Sequence, residues 1–227
     1  MDLTRSTFVG GVAALLAAPR AATAAALSVA DPPSPARGTP AEALRWLRAG
    51  NLRFREGGVR RLPTPSAAKP QRPWAVALTC ADTRVAPELV FDSLHFGDLF
   101  VCRSAGNIAD ADITGSIEYA VAEFRAPFVL VLGHSGCGAC DAAVETFDGG
   151  PLPPASIVAV VSTIMPAVSR VPRDAPERLK RVIETSASLT AAALARSPVM
   201  AAAVARGALQ VAWGYHELST GVVTIHA

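Results

Sequence analysis

The stretch PFVLVLGHSGC, residues 127–137, decides the fold of this chain. Residues 128–132 form an unbroken apolar run with the length and composition of a buried strand, and Gly133 ends the run. His134 and Cys137 follow, three residues apart. Both are soft metal ligands, and their spacing is short enough for one ion. The stretch therefore predicts a buried strand that ends on a metal site.

The same arrangement occurs upstream in WAVALTCADTR, residues 74–84. An apolar run ends at Cys80, and Asp82 and Arg84 follow at alternate positions. In a parallel α/β sheet the carboxyl ends of the strands share one edge, so Cys80 is expected to meet the later His–Cys pair. Two thiolates and one imidazole with a fourth position open are the ligand set of a catalytic zinc. Asp82 is the candidate for that fourth position, and Arg84 is placed to hold its carboxylate in a bidentate pair.

These residues also have plainer interpretations. Taken alone, Cys80 is more often a small buried residue, and Asp82 with Arg84 a surface ion pair. A different ligand set, in which Cys140 joins the later His–Cys pair, would chelate zinc or act as a redox pair, but it leaves Cys80 unexplained. The coincidence of ligand residues at two strand ends favours the shared site.

The remaining periodicities predict an α/β fold with a mostly parallel central sheet flanked by helices. The chain would begin with a helical arm and end with a strand-turn-strand. Helices are predicted over residues 41–57, 87–94, 113–124, 137–147, 156–168 and 177–195, and strands over 74–80, 98–102, 128–133, 208–215 and 222–225.

Composition points to one globular domain that acts on a small molecule. The chain has 227 residues, 51% of them hydrophobic, and a formal charge of +2 from 21 basic and 19 acidic residues. No long run of either sign is present, so neither nucleic acid nor an anionic membrane is the expected partner. Four cysteines are too few for a disulfide scaffold. Cys102 and Cys140 either bridge in an oxidising compartment or remain small buried residues.

The beginning of the chain resembles an export signal. Residues 1–24 contain a basic start, an apolar segment and a small-x-small cleavage pattern, with Ser6 in the second position of a twin-arginine-like motif. An Ala-rich amphipathic or disordered leader is the alternative. Residues 25–39 are Pro-rich and polar and are interpreted as a linker, so the catalytic domain would cover 40–227 with no stable membrane span after the signal is removed. We expect an exported, periplasmic protein, or a cytoplasmic one if the leader is not processed.

Four segments in order resemble the β-class carbonic anhydrases. They are CADTR (80–84), GDLFVCRSAGN (97–107), GSIEYAV (115–121) and VLVLGHSGCGAC (129–140). The family pattern is Cys-x-Asp-x-Arg followed later by His-x-x-Cys. The resemblance extends from Pro40 to the C-terminus and includes the first predicted helix and the closing strand-turn-strand.

The resemblance implies one zinc ion per subunit, held by Cys80, His134 and Cys137. Asp82 and Arg84 would form the catalytic dyad beside the fourth position. The family has open sites and closed ones, and in the closed form Asp82 would itself bind zinc. The sequence does not decide between these forms.

The resemblance further implies substrate contacts from Gln71, Phe100 and Tyr119, with the two aromatic residues entering from a neighbouring subunit. A homodimer or a dimer of dimers is therefore expected. The implied reaction is the reversible hydration of carbon dioxide to bicarbonate and a proton. The alternatives are hydrolysis of a related heteroallene, carbonyl sulfide or carbon disulfide, and non-catalytic binding of zinc or bicarbonate.

Overall fold

The computed structural model describes residues 38–56, 70–93 and 96–227. The predicted leader and nearly all of the predicted linker lie outside these ranges. Within the described ranges, no single helix has the length and apolarity to cross a bilayer, and the helices Arg178–Ala195 and Pro198–Ala205 pass that test only as a pair that bends by 82°. The elements are α1 (Pro40–Arg55), β1 (Ala75–Cys80), α2 (Pro87–Val90), β2 (Leu99–Ser104), a 3-10 turn (Ala105–Asn107), α3 (Ala111–Glu123), β3 (Phe128–His134), α4 (Gly138–Phe147), α5 (Ile157–Val168), α6 (Arg178–Ala195), α7 (Pro198–Ala205), β4 (Gln210–Glu217) and β5 (Val222–His226).

The five strands form one sheet in the order β2-β1-β3-β4-β5. The first four are mutually parallel, and β5 runs antiparallel to β4. Every residue of β1 and β3 is buried, as expected for strands covered on both faces. This confirms the predicted α/β class, and it places the carboxyl ends of β1, β2 and β3 side by side.

Alternate residues of β3 point to different helical layers. Val129 and Val131 belong to a cluster with residues of α3, α6 and α7. Phe128, Leu130 and Leu132 belong to a second cluster that includes residues of α1 and α2. The period-2 alternation of a strand therefore divides the apolar run between the two faces of the sheet.

The first helix is fixed at its beginning by a capping box. The Thr39 hydroxyl accepts the N–H of Glu42, whose carboxylate accepts the N–H of Thr39. Ala43 and Leu47 are fully buried against the sheet, so the predicted helical arm packs on its own chain.

The second helix is shorter than predicted. It was expected over residues 87–94 but ends at Val90. The N–H of Phe91 closes onto Pro87, and Asp92 then takes a left-handed conformation with φ 46°, which ends the helix.

Of the two alternatives for Cys102 and Cys140, the structure has small buried residues and not a disulfide bridge. All four cysteines lie in the described ranges and all are free and buried. Cys102 packs among residues of α3 and α7, whereas Cys140 packs with residues of α5. The two thiols thus belong to different apolar clusters of the core.

Candidate metal centre

Three ligand residues far apart in sequence meet at the carboxyl edge of the sheet. Cys80 is the last residue of β1, His134 is the last residue of β3, and Cys137 is the N-cap of α4. All three are buried, and their ligand atoms lie within 4.8 Å of one another. The predicted convergence is confirmed, because adjacent parallel strands bring their ends to one place.

The geometry of these atoms fits a tetrahedral ion. The Sγ atoms of Cys80 and Cys137 are 4.0 Å apart. Two bonds of about 2.3 Å at a tetrahedral angle would place the sulfurs about 3.8 Å apart. The alternative ligand set of His134, Cys137 and Cys140 does not form such a cluster among the described residues.

The imidazole of His134 presents one nitrogen to this site. Its Nδ1 lies 3.0 Å from the carbonyl oxygen of Ser135, and because a carbonyl only accepts, Nδ1 carries the proton. Its Nε2 is buried and has no hydrogen-bond partner among the described residues. A buried, unprotonated nitrogen without a partner is unfavourable, and a metal ion would satisfy it.

Both thiols are held in their protonated form when no cation is present. A hydrogen bond with Cys137, followed by burial, raises the pKa of Cys80. A hydrogen bond with Cys140, together with burial, raises the pKa of Cys137. A bound divalent cation would reverse this preference, since thiolates are the ligating form.

Asp82 is fixed beside the ligands by Arg84. Arg84 Nε donates to Oδ1 at 2.9 Å, and Nη2 donates to Oδ2 at 2.6 Å. Oδ2 also lies 3.9 Å from Nε2 of His134. These hydrogen bonds from Arg84 hold the pKa of the Asp82 carboxyl well below its usual range. An ionised carboxylate therefore stands next to the three ligand atoms, paired with the guanidinium.

Two residues that the sequence analysis did not assign also shape the site. Arg103, at the end of β2, donates to the carbonyl oxygens of Cys80 at 3.1 Å and Asp82 at 2.6 Å. The N–H of Gly106 donates to Sγ of Cys80 at 3.3 Å. A side chain at Gly106 would be strained, because φ is +70° and a Cβ would lie 2.7 Å from Ile164. The available signal was their position in CRSAGN (102–107), at the end of a predicted strand and in the turn that follows it.

The predicted substrate contacts are not gathered around the ligands within one chain. Gln71 is exposed and precedes β1, so it lies at the opposite end of that strand from Cys80. Tyr119, on α3, is 54% exposed, and its ring stacks edge-on against Phe124 at 5.2 Å. The ring of Phe100 also contacts Phe124. Their role in substrate binding stays a prediction that requires a second subunit.

Comparison with known proteins gives a consistent family. A family model described as carbonic anhydrase matches residues 75–223. Carbonic anhydrase 2 of Mycobacterium tuberculosis is 37% identical over 189 residues, which cover 80% of this chain and 90% of that protein. The carbonic anhydrase of Mycolicibacterium smegmatis is 39% identical over 136 residues, covering 57% of this chain and 65% of that protein.

Solved structures share the fold at lower sequence identity. A tetrameric β-carbonic anhydrase of Sordaria macrospora superposes with a TM-score of 0.63 at 23% identity, covering 71% of this chain and 84% of that one. The Coccomyxa β-carbonic anhydrase in complex with acetazolamide superposes with a TM-score of 0.61 at 23% identity, covering 81% of each chain.

Proposed function

The chain belongs to the β-class carbonic anhydrase family, whose reaction is the reversible hydration of carbon dioxide, and we propose that it performs this reaction with one zinc ion held by Cys80, His134 and Cys137. The observation that carries the proposal is the convergence, in one buried place, of two sulfurs and an imidazole nitrogen that has no hydrogen-bond partner among the described residues. Two thiolates and one imidazole leave a fourth position, which is the arrangement of a catalytic zinc.

When bound, zinc supplies the Lewis acidity that makes a water molecule a nucleophile for carbon dioxide near neutral pH. The residues of the chain orient that water. Asp82 would accept a hydrogen bond from that water at Oδ2, the oxygen that faces His134. Arg84 keeps the carboxylate ionised and in place, since it binds both oxygens. The water would thus be oriented by a carboxylate whose position the guanidinium fixes.

The surroundings suit an uncharged substrate. The ligand cysteines belong to an apolar cluster that includes Ile108, Val161 and Ile164. Carbon dioxide carries no charge and needs only an apolar niche beside the reacting water. Bicarbonate, the charged product, is less well solvated by such side chains, which favours its release.

Metal content and turnover, measured on one sample, test this proposal. Elemental analysis should find about one zinc per chain, and stopped-flow mixing with carbon dioxide should show catalysed hydration. Cys80→Ala should lose both properties, whereas Cys102→Ala, which removes a buried thiol elsewhere in the core, should keep them. A wild-type protein without zinc, or a zinc-loaded protein without turnover, would overturn the proposal.

Hydrolysis of carbonyl sulfide or carbon disulfide and non-catalytic binding are not favoured, because the family match and the relatives are carbonic anhydrases. Stopped-flow mixing of the same sample with carbonyl sulfide distinguishes the first alternative, hydrolysis of a sulfur compound, from hydration of carbon dioxide. Turnover of the sulfur compound with none of carbon dioxide would favour that hydrolase.

We also propose that the protein works as a homodimer or a dimer of dimers. Tyr119 is a large exposed aromatic residue whose ring packs on Phe124, and Gln71 lies at the opposite end of β1 from the ligand Cys80. The Sordaria relative is tetrameric. Light scattering coupled to gel filtration measures the assembly directly, and a monomer that hydrates carbon dioxide at full rate would contradict this proposal.

Export is a further proposal that depends on residues 1–24. Their basic start, apolar segment and small-x-small pattern are those of a signal peptide. Fractionation of cells that express the full chain, with N-terminal sequencing of the product, tests this proposal. An uncleaved chain confined to the cytoplasm would refute it.

A further inference from the structure

The two residues between the ligands His134 and Cys137 are both tied to other parts of the chain. Arg84 Nη2 donates to the carbonyl of Gly136 at 3.4 Å. Ser135 is held more extensively, because its N–H, its carbonyl and its hydroxyl all make hydrogen bonds. Ser135 is therefore the more informative residue of this segment.

Ser135 continues the ladder between β3 and β4 beyond the last paired residues, His134 and His216. The N–H of Ser135 donates to the carbonyl of His216 at 2.9 Å, as the parallel pattern requires. The next bond in that pattern would run from the N–H of Leu218 to the carbonyl of Ser135. Instead, the N–H of Leu218 donates to Oγ of Ser135 at 2.9 Å.

The hydroxyl thus replaces its own carbonyl in the ladder. This substitution leaves the carbonyl of Ser135 to accept the Nδ1–H of His134 at 3.0 Å. That hydrogen bond fixes the tautomer and the plane of the imidazole, so that Nε2 is the nitrogen directed at the sulfurs. The orientation of the ligand His134 on β3 consequently depends on a hydrogen bond with Leu218, the residue after β4.

We propose that Ser135 is a positioning residue for the metal centre: its hydroxyl occupies the ladder position of its carbonyl, and the carbonyl thereby orients the ligand His134. This inference rests on the proposed function, since it assumes that His134 binds zinc. Without the hydroxyl, the N–H of Leu218 either remains without a partner or competes with His134 for the carbonyl. In both cases the orientation of the His134 imidazole is less well fixed before the metal binds.

Thr and Val at position 135 form the matched test, because their side chains have the same shape and differ in the hydroxyl. Ser135→Thr should bind zinc about as tightly as the wild type. Ser135→Val should bind zinc about 10-fold more weakly, the lower end of what loss of a partner of a ligating histidine costs. Zinc affinity is measured by competition with a chromophoric chelator. The visible spectrum of the Co²⁺-substituted protein should change in the Val variant and stay unchanged in the Thr variant.

Ser197→Ala controls for a general loss of stability. Ser197 Oγ also accepts a backbone N–H, that of Met200 at 3.4 Å, but at the beginning of α7. This variant should lose stability and retain both zinc affinity and the Co²⁺ spectrum.

Equal zinc affinities and equal spectra for the Thr and Val variants would overturn the inference. A folded Thr variant alongside a Val variant without folded structure by circular dichroism would also overturn it, in favour of a purely structural role. If the wild type itself binds no zinc, the proposed function fails, and that result is distinct from either outcome.

Discussion

The sulfur of Cys80 lies 4.0 Å from the sulfur of Cys137, although the two residues are 57 positions apart in sequence. The hydrogen bond with Cys137 raises the pKa of Cys80, a hydrogen bond with Cys140 raises the pKa of Cys137, and burial raises both. In the metal-free protein both thiols therefore stay protonated through neutral pH. A cation that binds here must displace these protons, so binding is coupled to pH.

Zinc binding should release about two protons per ion between pH 6.5 and 8. The sign follows from the raised pKa values, because the thiols are protonated before binding and deprotonated after it. The apparent affinity should therefore increase with pH throughout this range. Calorimetric titration in buffers of different ionisation enthalpy counts the protons. Cys102→Ala should release the same number, and release of no protons by the wild type would contradict the model of two thiolate ligands.

The residues that could be predicted from sequence are those whose signal is local. The apolar runs before Cys80 and Gly133 identified the two central strands, and the parallel arrangement then required their ends to meet. The end of α2 depends on Asp92 in a left-handed conformation, which non-glycine residues adopt in only a few per cent of cases even though aspartate is among those that adopt it most often, so its early stop could not be foreseen.

The supporting residues of the site depend on which strands are neighbours and in what register. Arg103 reaches the carbonyl of the last residue of β1 and a carbonyl of the loop after it because β2 lies beside β1. Ser135 bonds to Leu218 because β3 pairs with β4, a strand more than seventy residues later. The partner in each of these hydrogen bonds is set by strand order and register, not by the residues next to it in sequence, which explains why the ligands were predicted and their supports were not.

Arg84→Ala should lower the rate of carbon dioxide hydration about 100-fold, the lower end of what a positioned acid–base group contributes. The carboxylate of Asp82 loses both side-chain hydrogen bonds from Arg84 and is free to move toward the ligands. Zinc content should not fall, since Arg84 is not a ligand. Arg84→Lys keeps the positive charge but cannot donate two hydrogen bonds to the carboxylate as the planar guanidinium does, so it should recover only part of the rate.

Stopped-flow rates on samples with measured zinc content decide this prediction. Arg173→Ala removes another arginine that pairs with an aspartate, Asp148, and should leave the rate unchanged. Full activity in Arg84→Ala would show that the Asp82–Arg84 pair has no part in the reaction.

Asn51→Ala should destabilise the protein by about 3 kcal/mol. The side chain of Asn51 is buried and joins three segments: Nδ2 donates to the carbonyls of Val90 and Gly221, and Oδ1 accepts the N–H of Val223. The substitution leaves one buried and two partly buried backbone groups without these partners, at about 1–3 kcal/mol for a fully buried group and less where water reaches. Urea unfolding measures the loss.

Leu52→Ala is the control for Asn51→Ala. It lies at the half-exposed neighbouring position and should cost below about 1 kcal/mol. Equal losses of stability for the two variants would refute this role of Asn51.

Gly50→Ala should also destabilise the protein, although alanine is the better helix former by about 1 kcal/mol. A Cβ at position 50 would overlap the carbonyl oxygen of Phe91, a backbone atom that no side-chain rotation can move away. Helix α1 must then separate from the turn after α2, and overpacking of this kind costs about 1–3 kcal/mol or more.

Ala49→Gly is the matched control for Gly50→Ala. Position 49 is exposed on the same helix, so this variant should lose only the propensity difference of about 1 kcal/mol. Urea midpoints rank the variants, and a Gly50→Ala protein as stable as the wild type would show that α1 does not approach Phe91 so closely.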